Sequence, residues 1–411
     1  MGIREYSAGL GGYLRKQSRN FKALLARDAL ASFSTSVTEA YQNLYLRVLG
    51  ATITEIGMVR SLSSIVDAIT SLPAGMLTDR YDLKNLILLG LFVGLGPAIL
   101  FVLARDWQTV IVATVWGVIA ARISLPALQV SFIDCMKNSE RATGIGFFAT
   151  VRSAVSVIAP IIAAFVITYF GGITANGIRA LYFFPLAVSV ISVVVVWKGL
   201  MKVEVQRAKE RPSSFSFFTD IFKGDKSMRQ FLVMEVMREF TVFMVNPFFF
   251  IYAVEIKHAD PYILGLMTTA QMIITVLLAL PLGKLSDRVG RKKVVYYFRI
   301  FRYATDIGLI LAPNPQFLIL VGIFRGIRLV SQDVSYSAFI FELVPLEKRG
   351  RWIAISSLLA GFSGAIATPL GGLLYENFAP EALFVFLTLF DLLVIMPIFS
   401  RIPEKPRTGH T

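Results

Sequence analysis

Runs of apolar residues divide the chain into twelve stretches separated by short polar breaks. A hydrocarbon core needs about 20 mostly apolar residues per helical crossing, and each stretch approaches or exceeds that length. They cover 23–48, 53–77, 84–104, 108–135, 144–170 and 179–200, then 230–254, 261–285, 293–312, 316–343, 351–375 and 382–400. The longest polar break, residues 201–229, separates two groups of six. The pattern predicts an all-α polytopic membrane protein: residues 1–200 form an N-terminal six-helix bundle, 201–229 a linker and 230–411 a C-terminal six-helix bundle. Phe215, Phe217 and Phe218 lie beside charges in the linker and allow a short interfacial helix, although a plain linker is the simpler reading.

The two groups repeat each other. LPAGMLTDR at 72–80 returns as LPLGKLSDR at 280–288, an offset of 208 in a chain of 411 residues. With that offset held, Gly57 meets Gly265, Asp134 meets Glu342, Arg141 meets Arg349, and Pro160 falls one position from the partner of Pro369. Chance explains any one match, but the common register points to internal duplication and two pseudo-symmetric bundles.

Composition agrees with the pattern: 55% hydrophobic, 12% aromatic and 17% charged residues, with mean hydropathy +0.65, are too apolar for ordinary water-soluble domains. A net charge of +14 would suggest a nucleic-acid partner in a soluble protein, but its distribution excludes that reading. Arg15, Lys16, Arg19 and Lys22 precede the first span; Lys202, Arg207, Lys209, Arg211, Lys223, Lys226 and Arg229 fill the linker; Lys405 and Arg407 follow the last span. Basic loops stay in the cytoplasm, so both termini and the linker are expected on the cytoplasmic face of a plasma membrane. Residues 1–21 lack the apolar run of a cleavable signal. Cys135 is the only cysteine, which excludes an intramolecular disulfide and leaves a small packed residue. His258 and His410 lie outside the spans, so no metal cluster, histidine relay or Ser/His/Asp triad forms within the membrane. No GxxxxGK[ST] loop is present. These absences argue against an enzyme, a metal or a bound cofactor; a proton gradient is the expected energy source. The expected partners are a small-molecule solute and the lipid bilayer around a monomer.

GKLSDRVGRKK, with Gly283, Asp287, Arg288, Gly290, Arg291 and Lys292, resembles the loop signature of the major facilitator superfamily, which follows the second helix of each half. The first copy, GMLTDRYDLKN, keeps Gly75, Asp79, Arg80 and Lys84 but departs from the pattern at Asp82 and Leu83. The resemblance spans the whole chain. It implies the twelve-helix fold of that family, with alternating access as two bundles rock around a midplane site. It also implies a cytoplasmic gate, formed when that side is closed, in which Arg80 pairs with Asp134 beside Arg141, and Arg288 with Glu342 beside Arg349. The structural alternative is a set of surface pairs worth at most about 1 kcal/mol each. Because the first copy is the more divergent, its gate is expected to be the weaker, with unmatched charges of the N-terminal half carrying more of the coupling.

Fold resemblance does not identify a cargo. Charges inside the spans bear on it more directly, since each costs about 2.5–3.5 kcal/mol at a helix centre on insertion scales. In the family the first, fourth, seventh and tenth helices line the cavity. They carry Asp28 and Glu39; Arg122; Glu235, Arg238 and Glu239; and Arg325, Arg328 and Asp333. The second span adds Arg60 and Asp67, seven residues apart and therefore on one face, with uncharged offset partners Thr268 and Thr275. The fifth adds Arg152. Arg122 needs a buried acid, which Glu39 or Asp67 can supply. Burial favours a protonated carboxyl and an approaching arginine favours the ionised form, so alternation between them couples proton movement to rocking. The candidates for coupling or cargo contact are Glu39, Arg60, Asp67, Arg122, Arg238, Glu239, Arg328 and Asp333. A static ion-pair network is the competing explanation. Arg299, Arg302, Asp306 and Asp391 lie on peripheral spans and read as structural, with Arg302 and Asp306 spaced to pair on one helix face. An exporter motif in the fifth helix is reduced to Ala159, Pro160, Ala163 and Ala164, and the eleventh span carries Thr368, Pro369, Gly371 and Gly372; generic packing explains both. The expected function is proton-coupled efflux of small amphipathic or drug-like solutes by an antiporter. The alternative is uptake or facilitated transport of an organic anion or lipid-like solute; a non-transporting receptor on the same scaffold is disfavoured by the paired gate residues.

Overall fold

The computed structural model describes residues 14–15, 17–136, 141–201, 226–344 and 349–402, apart from the side chains of residues 72, 75, 79, 141, 142, 226, 227, 341, 349–351, 353 and 354. All twelve apolar stretches are helical, and no strand occurs among the described residues. The first six comprise α1 (Arg19–Thr38) and α2 (Gln42–Val48), α3 (Ile53–Arg80), α4 (Leu83–Val93) and α5 (Leu95–Leu103), α6 (Trp107–Asp134), α7 (Arg141–Tyr169), and α8 (Ala175–Leu181) with α9 (Phe183–Gly199). The second six comprise α10 (Lys226–Glu255), α11 (Pro261–Val289), α12 (Arg291–Phe298) with α13 (Ile300–Leu311), α14 (Leu318–Val330) with α15 (Ser337–Leu343), α16 (Arg349–Asn377), and α17 (Pro380–Phe390) with α18 (Met396–Arg401). Most of the expected linker, including Phe215, Phe217 and Phe218, lies outside the described residues.

Local chemistry sets several helix ends. Ser18 accepts from Phe21 N, Asp106 from Thr109 N and Asp260 from Ile263 N, each satisfying an amide that has no partner within its helix. Pro261 then opens α11, where its missing N–H costs nothing. Gly290 closes α11 with φ 120°, a conformation that L side chains rarely adopt. The equivalent residue in the first half is Asp82, with φ −64°; its side chain accepts from Asn85 N and caps α4. The departure of the first copy from the family pattern thus replaces a glycine turn with an aspartate cap.

Among the described residues, eight helical stretches are long and apolar enough to cross a membrane. The first, second, ninth and tenth spans fall outside that set. They carry Arg27 and Asp28, Arg60 and Asp67, Arg299, Arg302 and Asp306, and Arg325, Arg328 and Asp333, and the first, ninth and tenth also contain helix breaks. Many exposed positions along the spans are apolar, as at Phe92 (68% exposed) and Leu280 (77%), which suits a lipid-facing surface. Met228–Glu255, the seventh span, is the most enclosed of these eight stretches.

Contacts group the chain into two compact units. One comprises Met1–Glu39, Ile69–Ala159 and Arg179–Ala208; the other comprises Ala40–Ala68, Pro160–Ile178 and Lys209–Thr411. The first contains a core around Phe21, Leu24, Ile87, Leu128, Met136 and Phe147. The second contains one around Phe231, Leu232, Val295, Tyr336, Val344 and Ile355. Leu24 and Leu232, Ile87 and Val295, Leu128 and Tyr336, Met136 and Val344, and Phe147 and Ile355 are each 208 residues apart. The repeat read from the loops is also written in the packing.

Candidate functional site

The second unit contains a connected set of buried charges. From α10, Arg238 donates through Nε to Glu235 Oε2 at 3.0 Å and through Nη2 to Glu235 Oε1 at 2.8 Å, a forked contact one turn back along the helix. The same Nη2 donates to Glu239, and Tyr336 donates its hydroxyl to Glu235. Side-chain exposure is 6% for Arg238, 10% for Glu235 and 21% for Glu239, so Glu239 is the most reachable of the three. A second fork joins Arg299 to Asp391, whose Oδ2 accepts from Nε at 2.8 Å and also from Tyr303 at 2.9 Å. Arg302 donates to Thr241 at 3.1 Å, linking α13 to α10. Asp306 accepts a 3.5 Å bond from Thr388. Arg325 lies over Phe249 and Phe250, its guanidinium carbon 4.4 Å and 5.0 Å from the ring centres.

Two members occupy π-helical turns, Tyr336 in Ser331–Tyr336 and Asp391 in Asp391–Ile395. A wider turn shifts the side chains that follow it relative to an α-helix, a device frequent at functional sites. A cavity of about 30 Å³ lies within the set, lined by Arg238, Arg299, Arg302, Arg328, Ser331, Gln332 and Tyr336 among others.

The first unit holds a larger cavity of about 280 Å³ between α1, α6 and α7. Leu24, Leu128, Phe132 and Phe148 form apolar walls, while Arg27, Asp28, Gln129 and Arg152 supply polar groups. Two arginines against one aspartate make the lining cationic. The repeat is broken here. Tyr336 stands at the offset position of Leu128 and Glu235 at that of Arg27, so aromatic bulk and an acid in the second half replace aliphatic surface and a base in the first.

The sequence-derived candidates occupy several environments. Arg238, Glu239 and Arg328 belong to the second unit's charge set, whereas Asp333 is exposed on its π-helical turn. Glu39 is exposed in the break between α1 and α2, and Arg122 is half-buried in α6. Arg60 donates to Asn43 Oδ1 through Nε at 2.8 Å and Nη2 at 2.5 Å. Asp67 is half-buried on α3.

At the signature loops, Arg80 and Asp134 are both exposed, and among the described residues no ion pair joins them. The side chains of Gly75, Asp79, Arg141 and Arg349 lie outside the described residues. In the second copy Glu342 pairs with Arg291 at 3.5 Å, where the resemblance implied Arg288; Arg291 also contacts Asp287 at 3.4 Å. The turn at Gly290 starts a new helix with Arg291, which puts this guanidinium within reach of the acid. Arg288 itself is exposed. A Cβ on Gly283 would meet Val334 at an ordinary 3.5 Å, so the strict requirement for glycine rests at Gly290.

The expected Arg302–Asp306 helix-face pair is replaced by longer reach: Arg302 extends to Thr241 and Asp391, and Asp306 to Thr388. Arg299, Arg302 and Asp391, read from sequence as separate peripheral charges, join the Arg238 set because arginine side chains bridge neighbouring helices. Arg27 was missed altogether. Its location one residue from Asp28 was the available signal.

At the end of α3 opposite its signature loop, the second unit contains two crossed contacts related by the repeat. A Cβ on Gly57 would stand 2.5 Å from Thr368 O, and one on Gly265 would stand 2.8 Å from Pro160 O. Gly57 and Gly265 are 208 residues apart, as are Pro160 and Thr368. Arg47 and Glu255, another pair with that separation, meet directly in a 2.5 Å salt bridge. Direct contact between equivalent residues is the signature of an approximate two-fold relation.

These features define an integral membrane protein built from two repeated helical halves. The profile of the Major Facilitator Superfamily matches residues 28–237 and 231–411, and the chain belongs to that family. It is therefore a transporter, not an enzyme. Multidrug resistance protein 2 of Bacillus subtilis (strain 168) is 20% identical over 292 residues, covering 69% of this chain and 70% of that protein. The major myo-inositol transporter IolT of the same organism is 26% identical over 147 residues, covering 35% of this chain and 31% of its own length. Among solved structures, the nucleoside transporter NupG superposes with TM-score 0.74 at 15% identity, covering 94% of this chain and 100% of that chain. That likeness concerns the fold alone.

Proposed function

We propose that the chain is a proton-coupled antiporter that exports small amphipathic or drug-like solutes across the cytoplasmic membrane, with both termini inside. The observation that carries the coupling is the sharing of Arg238 by Glu235 and Glu239. Two carboxylates and one guanidinium leave one negative charge, which a single proton neutralises. Glu235 accepts both arms of Arg238 and the Tyr336 hydroxyl, whereas Glu239 accepts only from Arg238 and is more exposed. Glu239 is therefore the proton-accepting group, and its neutralisation loosens one contact of Arg238. Rocking between the two access states changes which side reaches it.

The cavity in the first unit suits the cargo. Its aromatic and aliphatic walls take an apolar body, and its charged residues orient a polar group. The similarity to a protein named Multidrug resistance protein 2 supports drug-like solutes as the cargo. Transport of an organic anion is the second reading, favoured by the two arginines facing one aspartate in that cavity.

A ligand stability screen on the purified protein tests the cargo assignment. Amphipathic solutes are expected to raise the melting temperature, with half-saturation weakened at least tenfold by Arg152→Gln or Asp28→Asn. Unchanged half-saturation in both variants would move the cargo site elsewhere.

A further inference from the structure

We propose that the small arginine-lined cavity of the second unit binds one inorganic monoanion, with chloride as the natural occupant, at a site separate from the cargo cavity. Arg238, Arg299, Arg302 and Arg328 line it, and Ser331 and Gln332 complete its polar wall. Arg238 and Arg302 are each only 5% exposed. Three buried N–H groups on these residues have no hydrogen-bond partner among the described residues: Arg238 Nη1, Arg302 Nε and Arg328 Nε. Native interiors rarely leave such donors unmet, and clustering of three around one cavity calls for a common acceptor.

The neighbouring acids do not fill that role. Glu235 and Asp391 already accept forked contacts from Arg238 and Arg299. Arg302 Nε lies 3.9 Å from Asp391 Oδ1, beyond hydrogen-bond reach. Glu239 accepts from Arg238 Nη2, and Asp306 from Thr388. Around the cavity Arg238, Arg299, Arg302 and Arg328 face Glu235, Glu239, Asp306 and Asp391, so the fixed charges balance and the unmet N–H groups carry the assignment. Asp333 on the adjacent turn is exposed and does not line the cavity.

The ligand class follows from size and valence. A cavity of about 30 Å³ has room for one or two water-sized occupants and none for a solute with an organic body. Water offers two acceptor lone pairs and brings two hydrogens of its own into a ring of donors. A spherical anion accepts from all three N–H groups.

The test is thermal unfolding of the purified full chain in chloride, bromide or gluconate at equal ionic strength and pH, paired with chlorine-35 linewidths. A saturable rise in melting temperature with chloride and bromide but not gluconate is expected, together with protein-dependent chlorine line broadening. Arg328→Gln should raise the half-saturating chloride concentration at least tenfold. Equal melting in all three salts with no excess broadening would overturn the proposal and leave water in the cavity. Wild-type half-saturation in folded Arg328→Gln would equally overturn the site; if that variant does not fold, the wild-type measurements decide.

Discussion

Substituting the paired glycines by alanine gives a prediction with its own control. A Cβ at Gly57 would lie 2.5 Å from Thr368 O, 3.0 Å from Thr368 C and 3.1 Å from Pro369 Cα, all backbone atoms that cannot rotate away. At Gly265 the corresponding distances are 2.8 Å to Pro160 O and 3.0 Å to the Ala164 methyl. Relief requires the helices to separate by several tenths of an ångström, and overpacking of this kind costs about 1–3 kcal/mol. Alanine also favours a helix interior by about 1 kcal/mol over glycine, which would mask part of the effect. Gly146 supplies the correction: it lies within α7, and an added Cβ there meets nothing within 4 Å. The helix-propensity gain is common to all three substitutions, so the difference between Gly146→Ala and either contact variant isolates the overlap. Thermal unfolding in one detergent should place Gly57→Ala and Gly265→Ala below Gly146→Ala by several degrees, at roughly 2–4 °C per kcal/mol. If both contact variants melt with Gly146→Ala, the crossed contacts are not close packing and the reciprocal arrangement is refuted.

Other expected outcomes test the remaining parts of the account. Asp391→Asn removes the fully enclosed charge that Arg299 and Tyr303 share, and should cost about 3–5 kcal/mol on thermal unfolding. Asp287→Asn, at an exposed pair, should cost less than about 1 kcal/mol in the same assay. Asp260→Ala removes the cap on Ile263 N and should lower stability by about 1 kcal/mol, with Asp260→Asn restoring most of it.

Much of the fold is legible along the chain because bilayer crossing demands long apolar runs, and each such run is helical in the structure, whole or in two pieces. The 208-residue repeat also carries over to specific core positions, including Ile87 with Val295 and Met136 with Val344. The site was less legible because its geometry depends on turns and reach. The family resemblance pointed from Glu342 to Arg288, and the glycine turn at residue 290 also brings Arg291 to that acid. Span order placed Arg299 and Asp391 at the periphery, whereas their side chains meet in the charge set of the seventh span. The sequence also directed attention to unmatched charges in the first half, while the forked contacts at Arg238 and Arg299 lie in the second. Arg27 was obscured by the basic residues that precede the first span, and only three-dimensional packing puts it beside Gln129 and Arg152.

The central claim is that proton transfer at Glu239 drives solute movement. Its most direct measurement is flux of a solute identified by the stability screen, in proteoliposomes with and without an imposed pH gradient, for wild type and Glu239→Gln. Gradient-driven accumulation is expected for wild type, with loss of that accumulation in Glu239→Gln and solute exchange at equal pH retained. Flux that ignores the gradient, or full gradient-driven accumulation by Glu239→Gln, would contradict it.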